Sequence, residues 1–256
     1  MSKKQPVLTE SLIRKYLTYL QEQERSPHTI SKYAHDIGAL LTHLDGAPIT
    51  KVALIDWKEQ LTGTLAPASV NSMLVAVNGL FQFCGWQNLK IKLLKIQKSV
   101  FIDEEKELSR AEYERLVHVA KQQENERLAL VLQTICATGI RVSELKFITA
   151  EAVNTGRAEI SNKGKRRIVF LPRKLCKLLT AYLRKKGKSS GIVFTTRNGK
   201  PLDRSNIWRD MKALCQSAEV DPEKVFPHNL RHLFARTFYS VDHDLSRLAD
   251  ILGHSN

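Results

Sequence analysis

The sequence predicts a mainly α fold in two parts, an N-terminal helical bundle and then an α+β domain whose helices surround a small antiparallel sheet. Three observations predict it. Apolar residues recur at helical spacing through roughly the first hundred residues. The stretch KLLKIQKSVFIDEEKELS then breaks the period and carries a cluster of charge. Beyond it, one pair of alternating segments around a turn-prone tetrapeptide stands out among further helical patterns. These breaks divide the chain into a helical domain over 1–96, a linker over 97–107 and a second domain over 108–256.

In the first domain, Thr9 is placed to cap a helix, with Leu8 before it and Ile13 after it as a hydrophobic staple. Ser26 and Pro27 open the second helix, which carries Ile30, Tyr33, Ile37, Leu40, Leu41 and Leu44 and ends at Asp45-Gly46. A third covers Val52 to Leu61 and stops at the Thr62-Gly63-Thr64 break. A fourth runs from Ala68 to Phe83 with Val70, Leu74, Val77, Leu80 and Phe81 on its apolar face. In the second domain, Ser109 and Glu112 form a capping box for a helix through Ala120, and Leu128 to Ala137 is an apolar helix closed by Thr138-Gly139. Ala158 to Ile160 and Arg167 to Leu171 alternate on either side of Ser161-Asn162-Lys163-Gly164, a short β-hairpin. Helices follow Pro172, interrupted by a strand at Ile192 to Phe194.

Charge narrows the function. Forty Lys and Arg against 26 Asp and Glu give a net +14, which points to a polyanionic partner. From Lys163 to Lys188 there are eleven basic residues and no acidic one. No apolar run approaches a membrane span and the N-terminus has no signal-peptide core. Four scattered cysteines without a C-x-x-C pair argue against a disulfide framework or structural zinc, so a cytoplasmic location is expected. With no Gly-x-x-x-x-Gly-Lys loop and no clustered carboxylates, neither a nucleotide cofactor nor two-metal catalysis is expected.

Four segments hold residue types suited to phosphoryl transfer. In ATGIRVSEL, Arg141 opens a helix whose amides and dipole favour an anion, and Glu144 is spaced to hold its guanidinium. Lys163 sits at the hairpin tip, from which an ammonium can protonate a leaving 5′-oxygen. In FPHNLRHLFART, His228 and Arg231 lie three apart on one helix face, and a second guanidinium suits the added charge of a pentacoordinate phosphorane. In ILGHSN, Gly253 closes a helix and presents His254. Each segment alone matches an ordinary surface pair, turn lysine or helix end. It is the four in order that carry the signal.

Those four blocks resemble the signature blocks of tyrosine recombinases, most closely the Xer-like and transposon-integrase branch. SPHTISKYAHDIGALLTHL and SVNSMLVAVNGLFQF also resemble the family's core-binding helices. The resemblance spans nearly the whole chain. It implies an N-terminal SAM-like helical bundle plus an α+β catalytic domain, together forming a clamp around duplex DNA. It further implies that Arg141, His228 and Arg231 activate the scissile phosphate, that His254 bonds the transition state, and that Lys163 is the general acid, with Lys165 the alternative in the NKGKRR turn. Lys165, Arg166, Arg167 and Lys32 are the expected DNA contacts. The family's nucleophilic tyrosine follows the LGH histidine by about nine residues, whereas this sequence ends two residues after it. The 256 residues are therefore expected to bind double-stranded DNA without cutting it, and to be monomeric, where a full-length relative assembles into a tetramer on DNA. No cofactor is implied. The rival reading is a non-catalytic DNA-binding protein that keeps the fold.

Overall fold

The computed structural model describes residues 5–96, 106–162 and 165–253. The chain divides into two compact units, Met1–Val100 and Phe101–Asn256. Most of the expected linker, and with it residues 97–105, lies outside the described residues, as do Lys163 and His254.

The first unit is a helical bundle of α1 (Glu10–Glu22), α2 (Pro27–Leu44), α3 (Lys51–Thr64) and α4 (Pro67–Phe83). Its helix starts are written locally: the Thr9, Ser26 and Thr50 hydroxyls each accept a backbone amide of the first turn. The staple pair Leu8 and Ile13 is buried. Asp45, in the left-handed region at φ 44°, ends α2. α3 runs through the expected break at Thr62 to Thr64. The Thr62 and Thr64 hydroxyls bond back to helix carbonyls, and Pro67 supplies the stop by forcing Ala66 out of the helical region. Ile37, Leu40, Leu54, Leu74, Val77, Leu80 and Phe81 make the core. Two asparagines then fasten the chain after α4. Asn78 exchanges two 2.8 Å hydrogen bonds with the Ile91 backbone, and Asn71, two turns earlier, does the same with Leu94 at 2.9 and 2.7 Å.

The second unit contains α5 (Arg110–Gln122), α6 (Glu126–Thr138), α7 (Ala150–Thr155), β1 (Arg157–Asn162), β2 (Lys165–Phe170), α8 (Arg173–Lys185), α9 (Arg204–Ala218), α10 (Pro227–Asp242) and α11 (Leu245–Leu252). The Ser109–Glu112 capping box is present on α5. α6 is buried nearly all round, as its unbroken apolar run requires, and packs against α5, α8 and α10. β1 and β2 pair antiparallel with Asn162 opposite Lys165, so Ser161 and Asn162 belong to the strand rather than to the turn. Strand alternation sends Ala158, Ile160 and Val169 into the core and leaves Ile168 and Phe170 exposed. The strand expected at Ile192 to Phe194 reduces to a single bridge between Ile192 and Thr149. Val193 and Phe194 are apolar because they plug the core, not because they join a ladder. Among the described residues no helix is long and apolar enough to cross a membrane.

Candidate active site

The site is assembled where three chain segments meet in the second unit. The first follows α6, which ends on Gly139 in the left-handed region (φ 64°). A Cβ there would stand 2.4 Å from the Phe234 ring, so both backbone and space demand glycine. The turn sets Arg141 as the N-cap of a 3₁₀ helix, Val142–Phe147. The helix dipole expected behind Arg141 is therefore small, and the Arg141 amide is already bonded to Glu144 at 2.8 Å.

Glu144 is the anionic base of the site. Its side chain is 1% exposed, and it takes Arg141 Nη1 at 3.2 Å. It also takes both Arg167 Nη atoms, at 3.1 and 2.8 Å. Burial pushes the Glu144 carboxyl up, but the Arg167 and Arg141 hydrogen bonds outweigh it and hold the group below the usual carboxylate range. The spacing of Arg141 and Glu144 in the sequence thus corresponds to a bonded pair.

The second segment is the start of α10, where Pro227 occupies the first turn and no side chain caps the helix. His228 lies there, its ring 4.5 Å from that of His232 in an edge-on arrangement. Arg231, one turn on, is buried, and donates to the carbonyls of Gly139 at 2.5 Å and Leu252 at 2.6 Å. Burial and the neighbouring Arg141 guanidinium push its pKa down to about 10, which leaves it charged at neutral pH. The third segment is the end of α11, whose last carbonyls are held by Arg231 and Arg167.

Arg141, Ser143, Arg204, His228 and Arg231 line one open cavity of about 310 Å³, with no acidic side chain among its described lining residues. Like charges converge on it, and the start of a 16-residue helix opens beside it. Such a cavity favours an anion with several acceptor oxygens, as a phosphodiester has. The described residues hold no cluster suited to a metal ion.

Not every expected residue stands where the sequence reading put it. Arg167, expected to face DNA, is turned inward on Glu144 and on the Ile251 carbonyl, with only 15% of its side chain exposed. Strand alternation is the reason, since Arg167 shares the inward face with Val169. Arg166, one position away, is exposed. Lys32 is bound to the buried carboxylate of Asp36, one turn along α2. Lys165 opens β2. Arg204 and Ser143 are cavity residues that sequence reasoning missed. Arg204 lies far along the chain from Arg141, and only the fold brings the two together.

The chain matches the description "Phage integrase family" over residues 106–256 and "Phage integrase, N-terminal SAM-like domain" over residues 13–88. It is 28% identical to tyrosine recombinase XerA of Thermococcus kodakarensis, across 96% of this chain and 87% of that protein. It is 27% identical to tyrosine recombinase XerD of Vibrio cholerae, across 96% and 89%. The fold is shared with a lambda integrase tetramer bound to a Holliday junction (TM-score 0.78, 19% identity, 100% of this chain and 76% of that one). It is also shared with the XerH site-specific recombinase bound to its difH substrate (TM-score 0.71, 23% identity, 89% and 74%). The helical N-terminal domain and the hairpin-bearing second domain agree with these matches, and the chain belongs to the phage integrase family.

Proposed function

We propose that the chain binds double-stranded DNA in the manner of a tyrosine-type site-specific recombinase, a class that cuts and rejoins strands through a 3′-phosphotyrosyl link, with these 256 residues holding and activating the scissile phosphate but supplying no attacking tyrosine. The observation that carries this reading is the convergence of Arg141, His228 and Arg231 on one cavity beside a buried Glu144 that is held by two arginines. Two guanidiniums can neutralise the extra charge of a phosphorane with directed hydrogen bonds, which is transition-state stabilisation by a preformed set of donors. Lys163 would protonate the departing 5′-oxygen and His254 would bond a phosphoryl oxygen. The energy of the broken phosphodiester would be kept in the tyrosyl ester, so the exchange needs no nucleotide. DNA-dependent assembly into a tetramer is the proposed working state, with the 256-residue polypeptide itself a monomer.

The placement of the tyrosines supports a binding-only role for these 256 residues. Tyr16 is buried in the first unit's core, and Tyr19 stacks on it. Tyr33 packs against the same core. Tyr113 lies against the Cys136 thiol and Tyr182 is buried. Tyr239 is eleven residues beyond His228 on α10, about 16 Å along the axis. None lines the cavity.

Electrophoretic mobility shift over a salt series tests the reading. Six to ten phosphate contacts would lower duplex affinity by about 10³- to 10⁵-fold between roughly 50 and 200 mM salt. Affinity indifferent to salt would refute DNA binding through phosphates. An SDS-resistant protein–DNA adduct from this polypeptide would refute the binding-only part and leave the rest standing.

A further inference from the structure

We infer that Arg167 is a positioning residue for the phosphate site: one guanidinium joins the loop that carries Arg141 to the helix end that leads into His254. This rests on the reading of the cavity as a phosphate site. The Arg167 Nη atoms grip the two oxygens of Glu144, and the same carboxylate binds Arg141. On its other edge, Arg167 Nε donates to the Ile251 carbonyl at 3.1 Å. Arg231 makes a second link between the same two segments, from Gly139 to Leu252. Two arginines, one from β2 and one from α10, thus cross-brace residues 139–144 against the last turn of α11. There they satisfy carbonyls that a helix end leaves unbonded.

The brace needs the shape of arginine. Three directed donors in one plane serve two carboxylate oxygens and a carbonyl at once, whereas a lysine ammonium offers no such fork. Gly253 is fitted to it as well. It takes φ 63°, and a Cβ at that position would lie 2.8 Å from Arg167 Nη1. The charge balance also matters. Glu144 alone against Arg141 would cancel the charge the site needs, but Arg167 supplies a second cation to that carboxylate. Arg141 is therefore oriented by Glu144 without being neutralised by it.

The test uses the 256-residue chain, uniformly ¹⁵N-labelled and titrated with inorganic phosphate, alongside Arg167→Lys and Arg141→Ala. The Arg167→Lys variant is expected to weaken phosphate about tenfold, within the range for coupled neighbours, and to speed amide exchange at 248–253 while remaining folded. A folded Arg167→Lys protein with phosphate affinity within about twofold of wild type would overturn the inference. Should that variant fail to fold, the wild-type protein decides the matter. Coupling is reciprocal, so phosphate must slow exchange at Ile251 to Gly253, and exchange there indifferent to phosphate overturns the inference. A different result marks failure of the underlying site reading, namely wild-type protein and Arg141→Ala binding phosphate equally.

Discussion

Replacing Gly139 by alanine tests how closely the site and the core are joined. The residue sits at φ 64°, and a Cβ would meet Phe234 Cδ1 at 2.4 Å, Phe234 Cε1 at 2.7 Å and Leu252 Cδ2 at 3.0 Å. A left-handed conformation costs an alanine roughly 1–2 kcal/mol, and overpacking of this kind costs about 1–3 kcal/mol more. Phe234 is only partly buried and can give way somewhat, so a total of about 3 kcal/mol is expected. For a unit of this size that corresponds to roughly 6–12 °C in Tm. Gly187 provides the control. Its φ is 62°, but nothing lies within 4 Å of where a Cβ would stand, so Gly187→Ala should show only the conformational part, a shift of about 2–8 °C. Differential scanning calorimetry of the two variants separates the terms. If Gly139→Ala melts with Gly187→Ala, the close packing of Phe234 on Gly139 is refuted. Phosphate titration adds a second reading, because the Gly139 carbonyl accepts Arg231 and Arg141 lies two residues on. Gly139→Ala should weaken phosphate and Gly187→Ala should not.

Two further outcomes are expected. The Glu144 carboxyl is held below its ordinary range in the folded chain, so its contribution to stability is complete above the unfolded pKa of about 4.3 and is lost as pH falls through the lower folded value. The stability gap between wild type and Glu144→Gln, followed by urea denaturation, should therefore be constant from about pH 6 to 8 and shrink towards about pH 3; a gap that widens in acid contradicts it. In the first unit, Asn78→Ala removes both bonds to Ile91 and should cost about 1–3 kcal/mol. Hydrogen exchange at the Ile91 amide should rise in step, and unchanged protection there would show that the segment is held by other contacts.

Much of the fold was legible because it is decided within a few residues. The side-chain caps at Thr9, Ser26 and Ser109, the left-handed stops at Asp45 and Gly139, and the alternation of the hairpin are all local consequences of residue type. What went astray was decided by packing. Gly63 looked like a helix end, yet nothing crowds it and its threonine neighbours bond back to the helix, so α3 continues to the stop imposed by Pro67. Ile192 to Phe194 has the composition of a strand, but two of its side chains fill the core and only one residue finds a bridge partner.

The site divides along the same line, and Arg167 shows where. Residue types and their order were enough to pick out Arg141, Glu144, His228 and Arg231, and the structure brings all four together. Charge alone was not enough to orient the basic run that follows Lys163, because three adjacent cations look alike in a count. Yet the information was in the sequence. Val169 and Leu171 are the core-facing positions of β2 and its continuation, and a strand repeats every two residues, so Arg167 had to face inward while Arg166 faced out. An inward-facing, partly buried arginine must then find acceptors, and the carboxylate that meets it is the one already assigned to Arg141. Followed one step further, the pattern that located the hairpin would have moved Arg167 from an expected DNA contact to a support for Arg141.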